Sequence, residues 1–385
     1  MPISPHRRQI RSVTARAAVL GAVVVAAVLG AAPAGADSTA VGGPLLAGSG
    51  LVLPASGPAL PPGLVAASWL VADLNTGQVL GARAPHAPHA PASTLKILTA
   101  ESLIPKLNPT ELVTPTGADV TVDGSRVGLV ATMRYPVRQL FTAMLVVSGN
   151  DAATTLGDAA GGQAATVAAM NSEASRLGAR DTHAVNDDGL DAAGQLSSAY
   201  DLALIARAAM AQPGFRGYVA TKHASINGPH GPLMISSHDR LLFNYPGTIG
   251  IKNGYTVKAQ ATFVGAAQRN GHTLVVVLLK THPRYWPEAA ALLDWGFAAE
   301  AAHTQPIGEL ITPYSNATGQ HPQTPTGTGT DTAHTAAPRH PGDSAGLPTS
   351  ALGASALLIV AALIGRRRHT VRARRSTRAT RHQLR

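Results

Sequence analysis

The sequence predicts an α+β domain in which one antiparallel sheet is built from the two ends of the unit, with a helical insert between them. Three observations carry that expectation. Residues 67–73 (ASWLVAD) and 78–83 (QVLGAR) flank Asn75-Thr76-Gly77, which is a hairpin signal. Far downstream, 261–268 and 273–280 flank Arg269-Asn270-Gly271-His272, a second such signal. Between the two, 93–103, 137–147, 151–159, 164–177 and 199–210 space their apolar residues as helices do.

Each element has a local reason. The first helix opens at Pro91-Ala92-Ser93, because proline is tolerated in a first turn and apolar residues follow at helical spacing. The second ends in LFTAMLVV, apolar enough to be buried, and Ser148-Gly149-Asn150 joins it to the third near Asp151. Asn186-Asp187-Asp188-Gly189-Leu190-Asp191 precedes the last helix, SSAYDLALIARAAM. Asn244-Tyr245-Pro246-Gly247 makes a turn, and a strand then runs from Thr248 through Lys252-Asn253-Gly254 toward Ala261.

This domain, 63–314, has flanks of a different character. Arg7, Arg8, Arg11 and Arg16 precede the apolar run 17–32 and the small-residue site Ala34-Gly35-Ala36, the pattern of a secretory signal peptide (1–36) cut before Asp37. A retained N-terminal membrane helix is the competing reading, and Arg7-Arg8 fits ordinary export better than a twin-arginine signal. Residues 37–62 and 315–346 are aperiodic and rich in small residues and proline, so they read as a flexible lead and a linker. Residues 347–365 are nineteen positions without a charge, and 366–385 carry nine arginines and no acid. That combination reads as a transmembrane helix with a basic cytoplasmic tail, placing the domain on the outer side of the cell membrane.

The net charge of +10 belongs to these ends. With four arginines in 1–36 and nine in the tail set aside, 37–365 keeps 18 basic against 21 acidic residues, a net of −3. A nucleic-acid partner is therefore not expected. The absence of cysteine fits a protein that works outside the cytoplasm without disulfides.

Chemistry concentrates in three short stretches. Ser93 and Lys96 stand one turn apart at a helix start, so hydroxyl and amine share a face, and burial of the amine would make it a base. The N–H groups of that helix start also favour negative charge developing at Ser93. Taken alone, a capping serine followed by a solvated lysine explains S-x-x-K as well. Ser148 and Asn150 lie at a junction that is equally a helix cap, and Ser225-Ile226-Asn227 repeats the S-x-N pattern elsewhere. Lys252 and Gly254 lie in a strand where glycine lets a ligand or another backbone approach and lysine can hold a carboxylate.

In order S-x-x-K, S-x-N and K-x-G, at spacings of 55 and 104 residues, the chain resembles the penicillin-binding and serine β-lactamase group. Over about 65–300 it resembles the low-molecular-mass D-alanyl-D-alanine carboxypeptidases of peptidase family S11. The resemblance implies that Ser93 attacks the penultimate D-alanine carbonyl with Lys96 as base, and that Ser148 relays a proton to the leaving amine. It implies that Asn150 orients the substrate and Lys96, and that Lys252 pairs with the terminal carboxylate. The oxyanion hole would be the N–H groups of Ser93 and Tyr255, the residue after Gly254. Expected partners are peptidoglycan stem peptides ending in D-Ala-D-Ala, with β-lactams as covalent inhibitors.

No cofactor or metal is expected: the histidines form no H-E-x-x-H pattern, and His86 and His89 in a Pro-Ala loop read as solvated. One position departs from the family pattern, since Asn253 stands where threonine or serine is usual. Its amide can donate to a carboxylate but cannot shuttle a proton. That departure motivates a second class of reading, a catalytically impaired muropeptide-binding protein, and a DD-endopeptidase uses the same residues. A β-lactamase would need a deacylating glutamate, and Glu173 lacks the sequence context.

Overall fold

The computed structural model describes residues 41–312, all within one unit of the chain. The elements begin with β1 (Leu51–Val52), β2 (Ser68–Asp73), β3 (Gln78–Arg83), a 3-10 turn (Ala92–Leu95) and α1 (Lys96–Leu103). The insert continues with β4 (Leu112–Val113), α2 (Gly117–Thr121), β5 (Tyr135–Pro136), α3 (Val137–Val146), α4 (Asn150–Ala159), α5 (Gln163–Leu177), α6 (Ala199–Ala211) and α7 (Pro213–Val219). A hairpin of β6 (His223–Ile226) and β7 (Leu233–Ser236) and the short α8 (Leu241–Asn244) lead back to the sheet. There β8 (Thr248–Thr256), β9 (Gln260–Arg269), β10 (His272–Thr281), α9 (Trp286–Ala301) and β11 (Gly308–Glu309) complete the unit.

The seven-stranded sheet is antiparallel in the order β1-β3-β2-β10-β9-β8, with β11 also on β3. Its central step pairs β2 with β10, Val71 opposite Val276, so the two ends of the unit meet there. Sheet and inserted helices match the expected class. Both faces are covered, and the period-2 alternation of a strand sorts the side chains. Leu70, Ala72, Val275 and Val277 enter the core under α1, α3 and α6, whereas Trp69, Val71, Leu274 and Val276 enter a second core under α9. Helix α9 lies outside the predicted pattern of helices confined to the middle. Its Trp295 meets Trp69 edge-on, at 6.4 Å between ring centroids.

The N-terminal lead departs from the expected flexible segment. Residues 41–62 belong to the fold rather than to a flexible segment: β1 pairs with β3, Leu46 is fully buried, and Trp295 Nε1 donates to the Pro58 carbonyl at 3.1 Å. Small-residue composition hid a few aliphatic side chains that each fill a different notch, which leaves no period to detect. The expected signal peptide, the linker, the transmembrane helix at 347–365 and the basic tail lie outside the described residues. Among the described residues, no helix is long and apolar enough to cross a membrane.

Candidate active site

The site forms where the 3-10 turn, the α3–α4 junction, the 186–191 loop and β8 converge. Ser93 and Lys96 sit at positions i and i+3 across that turn, where side chains eclipse, so they point the same way. Lys96 Nζ lies 3.1 Å from Ser93 Oγ. It donates to Asn150 Oδ1 at 2.7 Å and to the Asp188 carbonyl. All three ammonium protons thus have an acceptor, and on deprotonation the freed lone pair can receive the serine proton. Lys96 is completely buried, and burial brings its pKa from 10.5 down to about 8 against the opposing pull of Asp188, Asp187 and Asp151.

The turn is held in a strained shape. Ala92 has φ +48°, in the left-handed region that a residue with a β-carbon rarely adopts. Thr262 Oγ1 and Thr94 Oγ1 both donate to the Pro91 carbonyl, at 2.8 and 2.6 Å, and clamp the turn from β9 and from within. A second strained residue is Ser148, with φ +62°, which stands between α3 and α4 and is 5% exposed. Two residues on, Asn150 is oriented by its Nδ2 bond to the Asp123 carbonyl at 2.7 Å. Asp151 gathers the amides of Val127, Gly128 and Leu129, fixing the loop above.

Strand β8 forms the opposite wall. It pairs with β9 on one edge and turns its other edge toward the Ser93 turn. A β-carbon at Gly254 would lie 2.6 Å from the Ser93 nitrogen and 2.6 Å from Thr262 Oγ1, so only glycine lets the strand come this close. Tyr255 follows with its ring 60% exposed. Lys252 is buried, its Nζ donating to the Asn253 carbonyl at 2.7 Å. Burial, and then repulsion from Lys96, hold its pKa well below the usual lysine range, with Asp239 opposing. Asn253 lines a different space, a polar cavity of about 500 Å³ shared with Ser237, His238 and Arg240. Thr256 Oγ1 donates to Asp191 at 2.8 Å, tying the end of β8 to the 186–191 loop.

Hydrogen bonds thus join Ser93, Lys96 and Asn150, the β8 backbone at Gly254 passes close to Ser93, Lys252 lies within electrostatic reach of Lys96, and Ser148 is buried at the α3–α4 junction two residues before Asn150. The Asp188 carbonyl, Asp123, Thr262 and Asp239 were not singled out from sequence. The segment NDDGLD was the available signal for the first of them. His86 is not solvated as expected: Nδ1 lies 2.7 Å from Asp181 and Nε2 3.0 Å from the Val41 carbonyl, a further anchor for the N-terminal segment. Glu173 lies on α5 and is paired with Arg176 at 2.8 Å.

The family model described as D-alanyl-D-alanine carboxypeptidase, of peptidase family S11, matches residues 57–282. The chain belongs to this family. It is accordingly an enzyme, a serine-type carboxypeptidase. The D-alanyl-D-alanine carboxypeptidase DacB2 of Mycobacterium tuberculosis is 44% identical over 254 residues, covering 64% of this chain and 87% of that protein. DacD of Salmonella typhimurium is 35% identical, and the match covers 61% of this chain and 64% of that one. Among solved structures, a D-alanyl-D-alanine carboxypeptidase from M. tuberculosis H37Rv superposes with a TM-score of 0.62 at 44% identity, covering 64% of this chain and 96% of that one. A mutant of the Streptomyces K15 DD-transpeptidase gives a TM-score of 0.59 at 29% identity, covering 62% of this chain and all of that one.

Proposed function

We propose that this carboxypeptidase removes the terminal D-alanine from peptidoglycan stem peptides through an acyl-enzyme on Ser93. The observation that carries the reading is the fully buried Lys96 amine, 3.1 Å from Ser93 Oγ, with its pKa about 8. An amine tuned toward working pH is what a general base requires, and a solvated lysine after a helix cap would show neither burial nor this contact.

In this mechanism neutral Lys96 takes the Ser93 proton as Oγ attacks the penultimate D-Ala carbonyl. The developing oxyanion is met by the N–H groups of Ser93 and Tyr255, a pairing supported by the close approach of β8 to Ser93 at Gly254. Ser148 relays the proton to the departing D-alanine nitrogen, and water then hydrolyses the ester. The free edge of β8 can pair with an extended peptide, while Asn150 orients the chain and Lys252 meets the terminal carboxylate. Asn253 can donate its amide to that carboxylate but cannot shuttle a proton. β-Lactams acylate the same serine and remain there. A signal peptide, a linker and a C-terminal membrane anchor would hold the domain outside the cell membrane, where such peptides are.

The test is to incubate the protein with fluorescent penicillin and, in parallel, with a diacetylated Lys-D-Ala-D-Ala peptide, using Ser93→Ala as control. Label at Ser93 together with D-alanine release is expected. Label without release would point to altered carboxylate recognition at Asn253. Neither label nor release from folded protein would refute the enzyme mechanism and favour a muropeptide-binding role.

A further inference from the structure

Metal-ligating side chains gather at the far end of the sheet, where Asp73 closes β2, His272 opens β10 and Glu300 lies in the last turn of α9. Their ligand atoms, one from each side chain, all lie within 4.8 Å of one another, and among the described residues no other three such side chains converge in this way. His272 Nδ1 is 3.0 Å from Asp73 Oδ2 and 3.5 Å from Glu300 Oε2. One ring nitrogen carries at most one hydrogen, so it serves one carboxylate and leaves the other. The one left is Glu300, whose side chain is 14% exposed and whose Oε1 is buried without a hydrogen-bond partner among the described residues. Asp73 is fully buried beside it. Two such carboxylates sharing a single hydrogen are unfavourable until a cation meets them. Glu300 also sits at a helix C-terminus, where the macrodipole disfavours negative charge and favours a bound cation. Burial raises its pKa against the pull of His272, and Asp73 adds to the rise.

The spacing of these atoms is that of a coordination shell. Zinc bonds of about 2.0–2.2 Å at tetrahedral angles hold ligand atoms about 3.3–3.6 Å apart. Separations of 3.0 and 3.5 Å need only a small adjustment to reach it. The donor set selects the metal, because a ring nitrogen with two carboxylates suits zinc, whereas calcium and magnesium take oxygen donors and more of them than three side chains supply. The ligands are also held in place. Asp73 Oδ1 accepts from the Asn75 and Thr76 amides at 2.7 and 3.3 Å, and Asn75 Nδ2 donates to the Gly271 carbonyl, next to His272, at 3.0 Å. His272 is 40% exposed, which gives an ion its way in and leaves a fourth position for water. Asp73 and His272 stand 199 positions apart, so no short motif marks the site along the chain.

We propose that Asp73, His272 and Glu300 bind a zinc ion that clamps the end of α9 to the ends of β2 and β10. The ion stands apart from the reaction. Asn253 pairs with Phe263 and Phe263 with Leu278, and at about 3.3 Å per residue Leu278 is roughly 20 Å along β10 from His272. Its effect is therefore on stability: it removes the repulsion between two buried carboxylates and ties the last long helix of the domain to the sheet.

Full-length protein stripped with EDTA and dialysed is titrated with zinc chloride by calorimetry, with calcium and magnesium chloride in parallel, and thermal unfolding and fluorescent penicillin labelling are followed in the same samples. Stoichiometric zinc binding with a micromolar or tighter Kd is expected, and calcium and magnesium should not compete. At a free zinc concentration about a hundredfold above Kd the melting temperature should rise on the order of 5 °C, with penicillin labelling unchanged. His272→Ala and Glu300→Gln should each weaken zinc binding about tenfold or more and abolish the rise in melting temperature. Glu300→Gln, which keeps the shape of the side chain, carries the test if His272→Ala does not fold. Zinc bound with undiminished affinity by both variants belongs to other histidines and overturns the assignment. Absence of stoichiometric binding to the unaltered protein overturns it equally, and so does zinc that blocks labelling, because the ion would then sit at the acylation site.

Discussion

Raising the pH tests the tuned amine directly. With Lys96 titrating at about 8, roughly a tenth of the molecules carry a neutral base at pH 7 and roughly nine-tenths at pH 9. Penicillin acylation, followed by stopped-flow fluorescence, is therefore expected to rise about tenfold over that interval and level off. Asp188→Asn removes the largest of the carboxylate influences that favour the ammonium, so its limb should move to lower pH. Stability changes with the same proton. The unfolded chain holds it up to 10.5 and the folded state only to about 8, so burying this amine costs about 3 kcal/mol below pH 8. That cost is relieved as pH climbs from 8 toward 10.5, because the unfolded state is then the one that gives up a proton on the way. Urea denaturation across this range should show the gain in the unaltered protein and not in Lys96→Met. An acylation rate still climbing tenfold per pH unit beyond pH 9, without a plateau, would refute the argument, because it would mean an amine with an ordinary pKa.

Four further outcomes are expected. Gly254→Ala places a methyl 2.6 Å from the Ser93 nitrogen, and should cut acylation by about a hundredfold or more while circular dichroism stays native. Asn253→Thr should raise kcat/KM for D-Ala-D-Ala peptides by about tenfold with a smaller change in penicillin labelling, as measured by D-alanine release. Lys252→Met relieves a buried cation and should leave the melting temperature equal or higher, while kcat/KM for carboxylate-terminated peptides drops by about ten- to a hundredfold. Leu46→Ala should cost about 2–5 kcal/mol in urea denaturation, which a truly flexible lead would not.

Much of the architecture was legible because it is local. The turn residues Asn75-Thr76-Gly77 and Arg269-Asn270-Gly271-His272 mark hairpins by backbone preference alone, and β2–β3 and β9–β10 appear where they were expected. The five longer inserted helices likewise announce themselves by spacing, within a residue or two at their ends, whereas the short α2 and α7 do not. Helix α9 was missed because it is apolar nearly all round: Leu292, Leu293, Trp295 and Phe297 are buried together, so it shows no amphipathic stripe. Segment 41–62 was missed for the opposite reason. Its few anchoring residues are separated by proline and glycine, and their value depends on what they dock against.

Residue types, their order and their local geometry are legible along the chain: a serine and a lysine one turn apart, an S-x-N at a helix junction, a glycine two residues after a lysine in a strand. Those are properties of neighbours along the chain, and the rules of helix and strand suffice to place them. What these groups can do chemically depends on the folded arrangement around them. The pKa of Lys96 depends on burial and on carboxylates about ninety residues away. β8 passes close to the Ser93 amide because a glycine stands at 254, and the buried Asp187 carboxylate, packed against Gly157 of α4, has no hydrogen-bond donor among the described residues. Electrostatic energy and steric access are set by distance in space, which periodicity and spacing along a chain do not encode.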